Sequence, residues 1–418
     1  MNKEYEEALA WLYAQKKSQK REDLSRIKRC IKLLNIKTDY HIIHIAGTNG
    51  KGSTASFIQQ MLILKGKKVG LFVSPYVIAF NERIQINHEY IQEEEVIYYI
   101  QILKDFSYQY QKAYQDTIPF FELTFLMALL YYEKQGIDYL VLECGLGGLL
   151  DATNGVEKDV AVITNIGYDH MAQLGDTLES IARHKLGITR KNVPCFTTVD
   201  EALIPYFEEY GKRNGVPLYF IKPSVSNIEM NEKETCFTYN EIEYKTNLRG
   251  VYQAYNASLA ISVIQYLFPN YPKSLVEKAL ASTVWPGRFE LVRENILLDG
   301  AHNIDGIRAL CESLKKGYAD KKIKVIFTAL KDKAIKEMLT LLDEVSSMYY
   351  FTTILDKRAT ESKEFISYTK KPSFVYPEFK DALSHAIQDL KADELLVITG
   401  SLHFISEVRK EFLKEMKE

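Results

Sequence analysis

The segment Gly47-Thr48-Asn49-Gly50-Lys51-Gly52-Ser53 brings glycines, a lysine and a hydroxyl together in the order a phosphate-binding loop needs. Gly47 and Gly50 allow backbone amides to turn inward around an anion, and a helix predicted from Ser53 points its positive end at the same place. Lys51 is long enough to reach β- and γ-phosphates, and the hydroxyl of Ser53 or Thr54 can meet a metal ion or a phosphate oxygen. The spacing is not the strict G-x-x-x-x-G-K-[ST], because Ile45 stands where its first glycine would be and Gly52 precedes Ser53. The loop nevertheless leaves a β-rich run and enters a helix, as phosphate binding requires. It reads as a nucleotide site rather than a surface turn.

Other residues fall where ligands gather. Glu143 ends the apolar run DYLVLE, which puts its carboxylate at the carboxyl end of a strand, where open α/β sheets bind ligands. His170 follows a strand within NIGYDH, and Lys185 comes fifteen residues later in ARHKLGI. Arg288 follows Gly287 in WPGRFE, consistent with a guanidinium that approaches phosphate closely. Asp299, His302 and Asn303 share the single segment DGAHN.

The elements that must position these residues alternate in type. The first forty residues read as helix, with Tyr5, Leu9 and Leu12 at helical spacing and a second stretch from Leu24 to Leu34. Strand His41 to Ala46, the glycine loop, a helix from Ser53 to Leu64 and a strand Val69 to Val73 then form a unit that predicts a parallel sheet. The pattern continues through a helix around Phe121 to Lys134, strands in IDYLVLEC and DVAVITNI, a helix near Leu178 to Leu186 and a strand in VPCFTTV. From about 206 to 250 the texture shifts to short antiparallel strands such as ETCFTYN and IEYKTNL, and Tyr252 to Leu267 is helical again. WPGRFE, with its Pro and Gly, marks the expected boundary, after which strand and helix alternate to the end. The expected fold class is α/β, with a domain over 1–290 and a second, smaller α/β domain over 291–418.

Composition narrows the function classes. With 53 Lys plus Arg against 55 Asp plus Glu among 418 residues, the net charge is −2, so no broad field draws the chain to nucleic acid or an anionic membrane. The five cysteines are scattered and form no Cys-x-x-Cys, which argues against a disulfide framework or structural zinc and suits a reducing cytosol. The longest apolar run, Leu123 to Tyr132, falls far short of the ~20 residues a membrane helix needs. The charged N-terminus lacks the apolar core of a signal peptide. The expectation is a cytoplasmic protein.

GTNGKGS followed by SPYVIAFNERIQIN closely resembles the Mur ligase superfamily, and within it the folylpolyglutamate synthases and dihydrofolate synthases. The segments FFELTF, ECGLGGLLDATN, ITNIGYDH, LGDTLESIARHKLGI, YQAYNA, WPGRFE, DGAHNIDGI and TGSLHF also match, in family order, from near residue 41 to near residue 404. The resemblance implies a Mur-type P-loop ATPase domain with a mainly parallel sheet, which also binds folate, and a smaller Rossmann-like C-terminal glutamate ligase domain that closes on it. It further implies ATP-dependent amide formation, in which a folate-type carboxylate is activated as an acyl phosphate and L-glutamate displaces phosphate.

Residue by residue, the resemblance assigns ATP to Asn49, Gly50, Lys51, Gly52, Ser53, Asn256, Arg288 and Asp299, and Mg²⁺ to Ser74, Glu143 and His170. Oxygen ligands suit magnesium, and an imidazole is less usual for it. Lys185 matches a lysine that CO₂ converts to a carbamate, an anion that organises the metal site. The substrate pterin falls to Phe121, Glu122, Thr124 and Asp151, and His302 with Asn303 to the place where acyl phosphate and glutamate meet; Lys51, Lys185 and His302 are the catalytic candidates. The expected partners are a reduced folate or dihydropteroate and L-glutamate, with no nucleic acid and no membrane, acting on a monomer.

Three positions depart from the family pattern: Tyr252 stands where a His commonly precedes Gln, Leu149 where Arg is frequent, and Tyr168 in place of an aliphatic residue. Two rivals accompany this reading. One is another Mur-type amino-acid ligase, against which FNERIQIN, GGLLDATN and WPGRFE favour folate. The other is a non-catalytic nucleotide switch, which has no need of Lys51, Glu143, His170 and Lys185 together.

Overall fold

The computed structural model describes residues 2–16 and 23–415. Eight strands form the first sheet: β1 (His41–Ala46), β2 (Val69–Phe72), β3 (Ile84–Ile86), β4 (Glu89–Tyr90), β5 (Tyr139–Glu143), β6 (Val160–Ile163), β7 (Cys195–Thr197) and β8 (Leu218–Phe220). Their order is β4-β3-β2-β5-β1-β6-β7-β8, parallel from β2 through β8, with β3 and β4 added as an antiparallel edge. The central strands are buried along nearly their whole length, which is why β2, β5 and β6 read as continuous apolar runs rather than alternating ones. Register pairs Ile45 with Glu143 and Phe72 with Leu142. The glycine loop, Ser74, Glu143 and Thr164 therefore all leave the same carboxyl edge.

Helices cover this sheet. Phe120–Gln135 carries apolar side chains all round, with Leu123 and Phe125 to Leu129 fully buried, so the longest apolar run of the sequence is a core helix. Among the described residues no helix is long and apolar enough to cross a membrane. Residues 206–214, which the sequence reading puts in a strand-rich stretch, belong instead to the helix Ile204–Asn214. Pro205 in its first turn, buried Phe207 and Gly211 four residues apart, and left-handed Gly215 at its end are helix chemistry.

Contacts divide the chain into two compact units: Met1–Ile166 with His170–Lys222 and Leu259–Ala279, and Gly167–Asp169 with Pro223–Ser258 and Leu280–Glu418. In the second unit β9 (Val225–Met230), β10 (Thr235–Tyr239) and β11 (Ile242–Thr246) form an antiparallel sheet, as ETCFTYN and IEYKTNL suggest. The six-stranded sheet is built from β12 (Glu290–Arg293), β13 (Ile296–Leu298), β14 (Lys322–Phe327), β15 (Ser346–Thr353), β16 (Ser373–Glu378) and β17 (Glu394–Thr399). Its order is β12-β13-β17-β14-β15-β16, parallel except for β12. Hydrogen bonds tie the small sheet's segment to the helix Ile304–Gly317: Ser313 Oγ accepts from the Val251 amide at 3.0 Å, and Lys316 donates to the Ile228 carbonyl at 2.8 Å.

Candidate functional site

In the first unit the site begins where β1 ends. Gly47 passes so close to Thr164 that a Cβ there would collide with the threonine hydroxyl. Asn165 then holds the loop: its carbonyl accepts from the Thr48 amide at 3.0 Å and its side-chain oxygen from the Asn49 amide at 2.8 Å. Gly50 is left-handed, φ 82°, at the N-cap of the helix Lys51–Leu64, which starts two residues before the expected Ser53. Gly52 and Ser53 thus lie in its first turn, where unpaired amides suit an anion. Lys51 folds back to donate to the carbonyls of Gly47 and Thr48 at 3.0 and 3.2 Å, and its Nζ stands 4.0 Å from Glu143 Oε1.

Glu143 is buried at the end of β5, and its Oε2 accepts from the Ser74 amide at 3.1 Å. The Ser74 hydroxyl is buried with no hydrogen-bond partner among the described residues, and so is that of Thr54. A buried hydroxyl without a partner, beside a carboxylate and a phosphate-type loop, fits an oxygen-seeking cation such as Mg²⁺. The described residues hold no group of three or more His, Cys, Asp and Glu that could bind a metal by themselves, so an ion here would need hydroxyl or substrate oxygens as well. His170 is exposed and left-handed, φ 51°, at the start of the short helix Met171–Leu174. Lys185 is 3% exposed near the end of the helix Leu178–Leu186, so it does not lie on a solvated face.

The four residues expected against the pterin have different surroundings. Phe121 is partly exposed, with its ring edge-on to Phe72 at 6.0 Å and pressed against Gly145. Glu122 is buried in a two-toothed pair with Arg26, both contacts 2.9 Å. Thr124 is fully buried, and its hydroxyl donates to the Phe120 carbonyl at 2.9 Å. Asp151 accepts from the amides of Leu146 and Thr153 and from the Thr153 hydroxyl, at 2.9, 3.0 and 2.6 Å. The last three side chains are therefore engaged within the chain.

Behind Asp151 lies a polar cluster absent from the sequence reading. Fully buried His44 meets Thr153 Oγ1 at 2.8 Å and Cys144 Sγ at 3.1 Å, and Lys158 Nζ lies 3.5 Å from its other nitrogen. Burial first, then the charges of Lys158 and Arg190, hold the His44 pKa well below the usual range, so it is neutral.

In the second unit Asp299 is the centre. It accepts from the amides of Phe289 and Ala301 at 2.8 and 2.9 Å and from the Tyr252 phenol at 3.1 Å. Burial raises its pKa, while Arg288 and these three donors oppose the rise. Tyr252, which departs from the family pattern, thus has a definite task. Arg288 packs on Gly300, where a Cβ would collide with its guanidinium. Asn256 is buried and donates to Gln253 at 2.9 Å. His302, Asn303 and Lys333 converge on Asp169 at 3.2, 3.0 and 2.6 Å. Lys333 is a further residue the sequence reading missed, since a lysine in a polar turn (KDKA) carries no local signal.

Residues 45–264 match the Mur ligase middle domain, and residues 287–402 match the Mur ligase glutamate ligase domain. The dihydrofolate synthase/folylpolyglutamate synthase of Bacillus subtilis is 33% identical over 97% of this chain and 98% of its own length. E. coli FolC in complex with DHPP and ADP aligns with a TM-score of 0.88 and 25% identity, covering 99% of this chain and 98% of that one. The bifunctional folylpolyglutamate synthase/dihydrofolate synthase of Yersinia pestis, complexed with AMPPNP and Mn, aligns with a TM-score of 0.86 and 25% identity over 98% of both chains. This chain belongs to the Mur ligase family, and within it to the folylpolyglutamate and dihydrofolate synthases.

Proposed function

We propose that this chain is an ATP-dependent ligase that adds L-glutamate to the γ-carboxylate of tetrahydrofolate and also joins L-glutamate to dihydropteroate. The observation that carries this reading is the meeting of Lys51, Ser74 and Glu143 at one sheet edge, within a family whose solved members hold adenine nucleotide, DHPP and a divalent ion. In the reaction a carboxylate oxygen attacks the γ-phosphorus and the bond to the bridging oxygen breaks, releasing ADP. The glutamate amine then attacks the acyl carbon, phosphate leaves, and the nitrogen gives up a proton.

The chain's task is mostly positioning and charge. The amides from Asn49 to Ser53 and the Lys51 ammonium cradle the β- and γ-phosphates. Ser74 and Glu143, with His170, would hold Mg²⁺, which when bound neutralises phosphate charge. Lys185, as its carbamate, supplies a further anion to that group. Asp299 gathers the amides of Phe289 and Ala301 with Tyr252, and so fixes the loops that present Arg288 to ATP, with Asn256 as a second contact. Phe121 meets the pterin, while Glu122, Thr124 and Asp151 hold the wall behind it. Asp169 and Lys333 fix His302 and Asn303, where glutamate is received.

In this reading residues 1–290 serve ATP and folate and residues 291–418 serve glutamate, and the protein acts as a cytoplasmic monomer. Its five free cysteines suit a reducing compartment. The test is an assay matrix of dihydropteroate and tetrahydrofolate, each with glutamate and MgATP, with products weighed by mass spectrometry. ADP release that requires both an acceptor and glutamate is the expected result; ATP hydrolysis indifferent to both would point to a nucleotide switch.

A further inference from the structure

Asn81, Glu82 and Arg83 are three consecutive polar residues, and the fold uses the first two internally. Asn81 accepts from the Tyr5 phenol and donates to the Ile91 carbonyl. Glu82 accepts from the amides of Val77, Ile78 and Ala79 at 2.8, 2.9 and 2.9 Å, and so shapes the turn after Ser74. Arg83 differs. Its main-chain carbonyl accepts from the Val73 amide at 3.0 Å, yet among the described residues no acceptor meets its side chain, and Nε is buried. The residue is 8% exposed, Nε has no hydrogen-bond partner, and no carboxylate among the described residues pairs with it.

What the guanidinium does meet are two ring faces, Tyr76 at 5.0 Å and Phe120 at 5.6 Å from the ring centroids. Tyr13 stacks on Phe120 at 5.6 Å and its hydroxyl lies 3.1 Å from that of Tyr76. Ring faces offset only part of the desolvation of a buried cation, and a guanidinium N–H left unpaired in the interior, as at Nε, is costly. Arginine stays charged in such a place, and its fork matches a carboxylate in two-toothed fashion. Burial lowers its pKa, with the Tyr76, Tyr13 and Glu143 charges opposing that.

We propose that Arg83 binds the carboxylate of the acceptor substrate, the group that takes the γ-phosphoryl, while the rings of Tyr76 and Phe120 hold the guanidinium in place for it. The inference rests on the ligase reading above. Its placement supports it: the Arg83 main chain bonds to Val73, the residue before Ser74, and Ser74 bonds to Glu143. The segment that carries Arg83 thus runs beside Ser74, and the Glu143 charge is among those that act on its guanidinium. A phosphate of ATP shares this chemistry, but Lys51 and the glycine loop already serve it.

The test uses the full chain and three variants, Arg83→Lys, Arg83→Gln and Arg83→Met. Dihydropteroate binding is titrated calorimetrically without ATP, and KM for dihydropteroate, tetrahydrofolate and ATP is measured with saturating glutamate. One charge-assisted pair predicts an acceptor KM raised about 10- to 100-fold in Gln and Met, less in Lys, with KM for ATP within about twofold of wild type. The melting temperature of Arg83→Met should hold or rise, because an unpaired buried cation has been removed. Unchanged acceptor binding overturns the proposal, as does a defect confined to KM for ATP. A wild-type chain inert toward both acceptors would overturn the ligase reading and this proposal with it, whereas an active wild type with unaffected variants overturns Arg83 alone.

Discussion

Glu143 stands between two partners, with Lys51 Nζ 4.0 Å from one of its oxygens and the Ser74 amide 3.1 Å from the other. At 4.0 Å the lysine attracts the carboxylate without a tight hydrogen bond. The arrangement suits a site in which an ammonium and a carboxylate are to be drawn apart, one to phosphate and the other to a cation.

Replacing Lys51 by Met removes the charge and keeps the stem. Turnover should fall by roughly 10² to 10³ or more, the scale of removing one preorganised group from a charge-developing centre. The fold should lose only about 1–2 kcal/mol, because what it forfeits is two bonds to loop carbonyls. Steady-state kinetics and a denaturant melt check both halves. Near-normal turnover would remove Lys51 from the phosphates.

Glu143→Gln preserves shape and the bond from the Ser74 amide, but removes the charge a magnesium ion needs. The variant should need substantially more magnesium for half-maximal activity, and its maximal rate should drop. A magnesium titration identical to that of wild type would show that the carboxylate does not serve the ion.

Much of this was legible in the sequence because it is local. A strand leading through Gly47 and Gly50 into a helix is written in consecutive residues, and so is the apolar run ending at Glu143. The helix Leu178–Leu186 matches its expected bounds because Thr177 caps it and its buried Ile181, Ala182 and Lys185 repeat at helical spacing. What stayed hidden depends on distant partners. Glu122 looks like a free acid in FFELTF until Arg26, 96 residues away, closes on it. The His44, Thr153 and Lys158 cluster joins β1 to a loop more than a hundred residues on. Nothing in either segment alone announces a buried polar network.

Lys185 carries the sharpest test of the carbamate assignment. An uncharged amine must attack CO₂, and the product is an anion where an ammonium would repel a nearby cation. Lys185→Ala and Lys185→Arg should both be nearly inactive, with short carboxylic acids partly restoring the alanine variant. ¹³C NMR after exposure to labelled CO₂ should show a carbamate signal in wild type that both variants lack. An active, magnesium-bound enzyme with a bare ammonium at 185 would end the assignment.

Lys158 predicts a pH dependence of stability, not of chemistry. Its ammonium donates to Asn154 at 2.6 Å and is 6% exposed. Burial, then the charges of Arg190 and Lys28, lower its pKa to about 7, against opposing effects of Cys144 and Glu157. The unfolded chain keeps the ordinary value of about 10.4. Between these values the unfolded state binds the extra proton, so stability rises with pH, by about 1.4 kcal/mol per unit at most for a single group. Below about 7 both states are protonated, and the burial penalty is present in full. Lys158→Met removes the titration. The stability of wild type minus that of the variant should therefore climb from pH 7 to 9. Tyrosines and the other cysteines also titrate at alkaline pH, but they are common to both proteins and drop out of the difference; Cys144, which touches this cluster, is held protonated in the fold because burial raises its pKa. Denaturant melts across that range decide the point: a difference that does not change with pH would mean that Lys158 remains charged in the fold, held so by its bond to Asn154.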